Sequence, residues 1–138
     1  MRAAFCIDDM GGILFNNRRV SSDGAVFADL KKLYSDKLYV TPFSAGLMQR
    51  YNVEYVADDN IFNITGNDAM LFIENISVKP HLKNISEIIV YHWNRRYPSD
   101  FKTDIDFSHL LLTDTYDFKG TSHDKITREI YQNPDYTK

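Results

Sequence analysis

The chain has 138 residues, enough for one domain with a buried core but too few for two domains of ordinary size. Its hydrophobic fraction of 43% and aromatic fraction of 14% are typical of a globular protein and exclude an intrinsically disordered chain. The formal net charge is −3, so no overall positive field attracts nucleic acid or an anionic membrane.

We expect a cytoplasmic protein, because the N-terminus lacks the apolar core of a signal peptide and no apolar run is long enough to span a bilayer. Cys6 is the single cysteine and lies in an apolar run, which predicts a buried structural thiol. The sequence contains no internal repeat and no low-complexity linker. It therefore predicts one domain over residues 1–132, followed by a flexible tail over residues 133–138.

The first half of the chain alternates apolar runs with helical patterns. An apolar run over residues 3–8 predicts a buried strand, and a pair of glycines marks the loop that follows it. Residues 25–34 carry apolar side chains at helical spacing, and Ser22 or Asp23 is a suitable helix cap. Further predicted elements are a short extended piece at 13–15, strands at 38–41, 53–56 and 69–73, and one or two helical turns at 45–50.

The second half of the chain is richer in strands. Predicted strands cover residues 88–93, 110–116 and 126–131, and a brief helix is expected near Pro80. The alternating side chains of the last strand predict that it closes an antiparallel edge of the sheet. The order of elements predicts a single-domain α/β fold with a mixed sheet of about six to eight short strands and about two to four flanking helices.

Three groups of polar residues have both a functional and a structural interpretation. Asp8 and Asp9 follow the first strand, but no third acidic ligand has a matching spacing, so we predict no metal site. Residues 92–97 interleave aromatic and basic side chains as nucleic-acid surfaces do, yet the net negative charge favours a solvated strand end. Ser122–Asp124 contains the residue types of a hydrolase triad, but sequence neighbours rarely converge as one, so His123 is predicted to have a local structural role.

The order of elements and several motifs resemble the dihydrofolate reductase family over nearly the whole chain. Asp9–Ile13 is similar to the glycine-bearing loop that closes over the ligands in that family, and Asp29 followed by Leu30 is similar to the start of its first helix. Further similar segments are Lys37–Thr41, Leu71–Ile73, Glu87–Tyr91, Phe101–Asp106 and Ile126–Tyr131. The resemblance implies a dihydrofolate-reductase-like fold.

The resemblance also implies a set of site residues. Asp29 is expected to be the catalytic, proton-handling carboxylate in a partly apolar cleft. Tyr91 and His92 alternate along their strand, so only one of them can face a cleft, and Tyr91 is the one expected to bind the ligand. The ligand-binding residues implied by the loop and this strand are Asp9, Met10, Gly11, Gly12 and Tyr91.

Two cofactor-binding motifs of that family are replaced in this chain. Pro42–Ala45 stands where the family holds the cofactor phosphates after its second strand. Glu74 and Asn75 stand where paired glycines let the pyrophosphate approach a helix N-terminus, and a glutamate there repels phosphate. We therefore expect no NADPH binding in the usual manner, and the sequence identifies no other cofactor.

A second resemblance is to short bacterial proteins often labelled ribonuclease Z. It rests on the opening residues 8–12 and on Ser122–Thr127. That enzyme needs a clustered histidine motif to hold two zinc ions, and the histidines at 81, 92, 109 and 123 lack such spacing. No nuclease function is predicted.

Three functions remain open, in order of preference. The first is a repurposed scaffold that is non-catalytic or binds a small planar ligand near Asp29. The second is an interaction or homodimerisation module that uses Trp93 and Tyr97, because large aromatic side chains commonly anchor interfaces. The third is an NADPH-dependent pteridine reductase with an altered cofactor site.

Arg18 and Arg19 could also bind an anionic ligand, although adjacent arginines usually form only a polar surface.

Overall fold

Ten strands, two α-helices and three 3₁₀ turns form the part of the chain that the computed structural model describes, residues 1–34, 37–64 and 68–137. The strands are β1 (Arg2–Ile7), β2 (Gly12–Phe15), β3 (Arg18–Arg19), β4 (Lys37–Val40), β5 (Glu54–Ala57), β6 (Met70–Phe72), β7 (Glu87–His92), β8 (Phe101–Lys102), β9 (Leu111–Phe118) and β10 (Ile126–Gln132). The helices are α1 (Gly24–Leu33) and α2 (Pro42–Arg50), and the 3₁₀ turns are Ile61–Asn63, Lys79–Asn84 and Phe107–His109.

The main sheet has seven strands in the order β5-β4-β6-β1-β7-β10-β9. The first five strands in this order run parallel, whereas β10 pairs antiparallel with both β7 and β9. A second sheet of three short strands has the order β3-β2-β8. The predicted α/β fold with a mixed sheet and flanking helices is confirmed.

The main sheet separates two hydrophobic clusters. Strand β1 lies near its centre and is buried on both faces, as its nearly continuous apolar sequence favours. On one face, Phe27 and Leu30 of α1 and Met48 of α2 pack against the sheet. On the other face, β2 and the 3₁₀ segments cover the sheet. The segment between β3 and α1 lies near the C-terminal end of β1, because Ser21 and Asp23 line the same cleft as Cys6.

The main sheet has seven strands, where about six to eight were expected. The predicted strands did not include β3 and β8, because two-residue strands are too short to give a periodic pattern. Strand β3 follows a two-residue turn in which Asn16 and Asn17 both have positive φ, the geometry of a tight hairpin. Strand β10 was expected at the sheet edge, but β9 takes that position.

The C-terminal residues that were predicted to form a flexible tail contact the 3₁₀ turn at Lys79–Asn84. The Asn133 side chain is buried and donates hydrogen bonds to the carbonyls of Leu82 and Ile85 at 2.8 and 2.9 Å. The Thr137 amide donates to the Lys83 carbonyl at 2.9 Å, while Lys138 lies outside the described residues. Among residues 1–34, 37–64 and 68–137, no helix is long and apolar enough to cross a membrane.

Candidate functional site

The glycine-bearing loop after β1 is organised by Asp8. One carboxylate oxygen of Asp8 accepts hydrogen bonds from the amides of Met10 and Gly12 at 2.9 and 2.6 Å, and the other accepts from the Tyr97 amide at 2.9 Å. Burial alone raises the pKa of Asp8, but these backbone bonds outweigh it and leave the pKa below its ordinary value. Asp8 therefore shapes the loop as an acceptor of backbone bonds.

The remaining loop residues lie close together on the surface. Asp9 and Met10 are exposed, and Gly11 takes a positive φ of 79° that favours glycine. Gly12 leaves no room for a side chain, because a Cβ there would lie 2.5 Å from the Ser99 hydroxyl. Within the described part of the chain, no group of three or more His, Cys, Asp and Glu side chains is placed to hold a metal ion.

Asp29 and Tyr91 contact each other, away from the loop. The Tyr91 hydroxyl donates to Asp29 at 2.7 Å, and the guanidinium of Arg128 on β10 donates to both carboxylate oxygens at 2.7 and 2.9 Å. Arg128 also pairs with Asp114 at 2.8 Å. Asp29 is only 9% exposed at its side chain, and burial, reinforced by Asp29, raises the pKa of Tyr91. We call these four residues the arginine network.

A second buried carboxylate lies at the start of the same helix. Asp23 is the N-cap of α1, as the sequence predicts, and one of its oxygens accepts from the Ala25 amide at 2.9 Å. The same oxygen accepts from the Thr121 amide and hydroxyl at 3.0 and 2.9 Å. The other oxygen accepts from the Ser122 amide and from Nδ1 of His123, both at 2.9 Å.

These bonds keep Asp23 ionised and hold the β9–β10 loop against α1. Burial raises the pKa of Asp23, but the hydrogen bonds from Thr121, His123 and their neighbours lower it well below the ordinary value. The close approach also depends on Gly120, because a Cβ there would lie 2.3 Å from an Asp23 oxygen and 2.9 Å from Ile126. The loop therefore reaches Asp23 only with glycine at this position.

His123 connects the buried carboxylate to the surface. Its Nε2 lies 2.8 Å from the Ser21 hydroxyl, and its ring stacks on Trp93 with the ring centres 4.5 Å apart. Because Nδ1 donates to the carboxylate of Asp23, Nε2 of the neutral imidazole is the acceptor for the Ser21 hydroxyl. The Tyr97 hydroxyl lies 3.4 Å from Nε2 and 3.5 Å from the Ser21 oxygen. We call Ser21, Asp23 and His123 the histidine cluster.

The histidine cluster borders a narrow cleft at the end of β1. The cleft has a cavity volume of about 10 Å³, room for about one water molecule. Its wall includes Glu74, which accepts two hydrogen bonds from Arg19 at 2.9 and 3.0 Å and one from Ser44 at 2.7 Å. The other lining residues include Cys6, Ile13, Val26, Phe27, Leu47, Phe72 and Trp93.

A wider surface groove lies beside this cleft. Its volume is about 570 Å³, within the range of roughly 300–1,000 Å³ that small-molecule sites occupy. Arg19 lines both spaces, and Tyr97 links the groove to the Ser21 hydroxyl. Arg18 is exposed in the groove, and no described residue forms an ion pair or hydrogen bond with its side chain. The remaining lining residues are Phe15, Asn16, Val20 and Pro98.

The structure thus separates the site residues that the sequence predicts. Asp9, Met10, Gly11 and Gly12 share the loop, whereas Asp29 and Tyr91 belong to the arginine network and do not line the cleft. Trp93 and Tyr97 were predicted as interface residues. Trp93 is 3% exposed and stacks on His123, and half-buried Tyr97 lines the groove.

Sequence reasoning missed the histidine cluster. It identified Asp23 only as a helix cap and His123 only as a local hydrogen-bonding residue. Ser21 carries no pattern of its own, and the Asp23–His123 contact joins positions 100 residues apart. The sequence offered two separate signals, a helix cap at Asp23 and an isolated histidine at position 123. Only the fold shows that the two residues are in contact.

Comparison with solved structures identifies the architecture. The chain superposes on dihydrofolate reductase from Enterococcus faecalis, complexed with NADP(H) and RAB-propyl, with a TM-score of 0.66. The match covers 98% of this chain and 97% of that chain at 14% sequence identity. The chain has a dihydrofolate-reductase-like fold. This confirms the fold that the sequence resemblance implied.

The sequence comparisons add no relative. No profile of a protein family matches the chain, and no curated protein matches it. At 14% identity the structural likeness establishes the fold alone, so function has to be argued from the residues of this chain.

Proposed function

We propose that this chain is a repurposed dihydrofolate-reductase-like scaffold that binds a small planar anionic ligand. The groove that contains Arg18 and ends at the histidine cluster is the proposed binding site. The observation that carries the proposal is Arg18, a cation exposed in a groove of about 570 Å³ without a partner among the described residues. Phe15 and Tyr97 supply flat apolar surface for a planar group, and the Arg18 guanidinium supplies a bidentate donor for carboxylate or phosphate.

The geometry favours a position different from the one that the sequence resemblance implies. Asp29 is bonded on both oxygens within the arginine network, where three hydrogen bonds from Tyr91 and Arg128 already engage its carboxylate. Asp23 is also bonded on both oxygens. A ligand that enters from the groove therefore meets the Ser21 hydroxyl before Asp23, because Ser21 is only partly buried and Asp23 is 1% exposed.

The cleft wall argues against NADPH as the ligand. Glu74 has a side chain only 6% exposed and depends on Arg19 and Ser44 for its hydrogen bonds. A pyrophosphate that bound Arg19 in place of Glu74 would leave this buried carboxylate without a cation and with only the Ser44 hydrogen bond, at a cost of about 3–5 kcal/mol. A reductase with an altered cofactor site is therefore the least supported of the three functions.

A thermal-shift titration with Arg18→Ala tests the proposed function. The panel contains benzoate, naphthoate, NADPH, NADP, dihydrofolate and nucleoside monophosphates. We expect a saturable rise in melting temperature with planar anions, and about tenfold weaker affinity in Arg18→Ala because the ligand loses its charged partner. Arg50→Ala removes an exposed arginine on α2 outside the groove and is the matched control.

Two results would count against this function. If no planar anion shifts the melting temperature of the folded protein, the groove has no such ligand. If NADPH causes a saturable shift that Arg18→Ala leaves unchanged, the cofactor binds by another route and the reductase hypothesis takes first place.

A second candidate function is self-association through β9. This strand lies at the edge of the main sheet, and its exposed side chains include Leu111 at 59%, Leu112 at 51% and Tyr116 at 48%. An exposed apolar edge strand is a template for pairing with another chain. By contrast β7, which ends just before the predicted interface residues Trp93 and Tyr97, lies between β1 and β10 and has no free edge.

Light scattering during size-exclusion chromatography tests this candidate. We expect a dimer at high protein concentration, and a monomer for Leu112→Lys because the charge disrupts edge pairing. Val56→Lys, on the opposite edge strand β5, is the control for added charge at an exposed apolar position. A monomer at every concentration of the wild-type chain would exclude the candidate.

A further inference from the structure

The histidine cluster has the connectivity of a nucleophilic triad. Ser21 lies between β3 and α1, Asp23 caps α1, and His123 comes from the loop between β9 and β10. The hydroxyl-to-imidazole distance is 2.8 Å and the imidazole-to-carboxylate distance is 2.9 Å. Both values lie within the hydrogen-bond reach that links a nucleophile to its base and that base to an orienting acid.

We propose that Ser21, His123 and Asp23 form a triad that hydrolyses small anionic aryl esters through an acyl group on Ser21. Ser21 is the nucleophile, His123 is the general base and acid, and Asp23 is the positioning residue. The inference rests on the proposed function in one respect, because it places the substrate in the groove that contains Arg18. The chemistry of the three side chains is a separate claim.

The arrangement around His123 favours the tautomer of the neutral imidazole that this role requires. Asp23 is ionised and accepts the proton-bearing Nδ1, so the lone pair of Nε2 faces the Ser21 hydroxyl. The Trp93 ring beneath the imidazole fixes its plane. A buried carboxylate of this kind also stabilises the imidazolium that forms when Ser21 loses its proton.

The surroundings of Ser21 supply the remaining requirements. Ser21 is only partly buried and lines the cleft, and Arg19 borders both the cleft and the groove, so the proposed route for the carbonyl runs from the groove to Ser21. The Tyr97 hydroxyl lies 3.5 Å from the Ser21 oxygen and is placed to donate to an oxyanion formed beside it. Because the cleft has room for about one water molecule, it can receive only the methyl group of a short acyl chain such as acetyl, while the groove receives the aryl part.

The reaction balances without a cofactor. The Ser21 oxygen attacks the ester carbonyl carbon as its proton passes to Nε2 of His123, and the tetrahedral oxyanion forms. When this intermediate collapses, the carbon–oxygen bond to the aryl group breaks and the imidazolium protonates the departing phenolate. Water then attacks the acyl group in the same manner, releasing the carboxylic acid and restoring the Ser21 hydroxyl.

Covalent labelling with a small alkyl fluorophosphonate tests the triad. Attack by the Ser21 oxygen on phosphorus expels fluoride and leaves a stable phosphonyl group, which intact-protein mass spectrometry and peptide mapping locate. We expect one adduct on Ser21 in the wild-type chain and none in Ser21→Ala. Ser22→Ala removes the neighbouring hydroxyl, which bonds Tyr51 instead, and is expected to label at the wild-type rate.

Two further variants test the base and the positioning residue. His123→Gln is expected to slow labelling by about 100-fold or more, because general-base catalysis contributes at least that much. Asp23→Asn keeps an acceptor that can cap α1 but removes the charge beside His123, so labelling is expected to slow while circular dichroism stays native. Absence of an adduct on folded wild-type protein, or an adduct that persists in Ser21→Ala, would overturn the proposal.

Ester turnover separates this inference from the proposed function. We expect hydrolysis of 4-acetoxybenzoate to exceed that of neutral phenyl acetate, and Arg18→Ala to remove this preference. If Ser21 is labelled but Arg18→Ala changes neither preference nor affinity, the triad stands and the proposed anion site is wrong. If planar anions bind through Arg18 but Ser21 is not labelled, the binding function stands and the triad is wrong.

Discussion

Helix α1 carries two buried carboxylates whose surroundings differ in one decisive respect. Asp29, in the middle of the helix, binds the guanidinium of Arg128, which also pairs with Asp114. The charges of this group are therefore balanced within the arginine network. Asp23, at the helix start, binds Nδ1 of His123, and Nε2 of the same imidazole is hydrogen-bonded to Ser21, a partly buried residue at the cleft. The partner of a buried carboxylate, more than the carboxylate itself, determines whether its charge can act on a ligand.

The largest expected effect on stability comes from Asp23→Ala. The substitution removes the cap of α1 and leaves the amides of Thr121 and Ser122 without their acceptor, so we expect the free energy of unfolding to fall by about 3 kcal/mol. Urea unfolding followed by circular dichroism measures it. Asp9→Ala, at an exposed loop carboxylate, is the control and should stay within about 0.5 kcal/mol. A loss below about 1 kcal/mol for Asp23→Ala would mean that the loop does not depend on this carboxylate.

Gly120→Ala tests the contact between the β9–β10 loop and Asp23 by a change in the loop. The added methyl group meets an Asp23 oxygen at 2.3 Å and must displace either the loop or the carboxylate, so we expect a loss of about 2 kcal/mol in the free energy of unfolding. The same urea titration checks it. Gly46→Ala on α2 is the matched control, because no atom lies within 4 Å of its added Cβ and alanine favours a helix. Equal stability of the two variants would contradict the close approach at Gly120.

Asp29→Asn tests the arginine network. Arg128 keeps Asp114 but loses its most buried partner, so we expect a loss of about 1–2 kcal/mol in the free energy of unfolding. The double variant Asp29→Asn with Arg128→Met should be more stable than the sum of the two single losses predicts, because neither charge is then left unpaired. Strict additivity in urea unfolding would show that the pair contributes no coupling energy.

Acid should lower the free energy of unfolding through Asp23, by less than the substitutions above. The pKa of Asp23 is lowered in the folded state, so its stabilisation is fully present above the unfolded pKa of about 3.9 and is lost as pH falls toward the folded pKa. We expect the free energy of unfolding to decrease from pH 5 to pH 3, and to decrease less in Asp23→Asn. Because Asp8 acts in the same direction, the difference between wild type and variant isolates Asp23. Parallel curves for the two proteins would contradict this prediction.

The sequence predicted the strands and helices that bury continuous apolar surface, and it missed the features that depend on long-range contacts. The run of residues 88–93 predicted β7 and the helical spacing of residues 25–34 predicted α1, because local periodicity reflects local burial. Strand β10 lies between β7 and β9. The alternation of side chains along β10 shows which face is buried, but it does not show whether a further strand pairs with its outer edge.

The same limit explains the candidate site. Asp29 and its helix were recognisable by their likeness to a known family, but the Arg128 partner that occupies Asp29 comes from a strand 99 residues further on. Asp23 was recognisable as a cap because capping is local. Its bonds to Thr121 and His123 arise only after the β9–β10 loop folds onto α1.

The most direct test of the account compares the fluorophosphonate labelling rate of Ser21 in wild type, Asp23→Asn and Asp29→Asn, with each variant shown to be folded. We expect Asp29→Asn to label at nearly the wild-type rate and Asp23→Asn to label much more slowly. Equal loss in both variants, or a loss confined to Asp29→Asn, would contradict the assignment of the functional site to the histidine cluster.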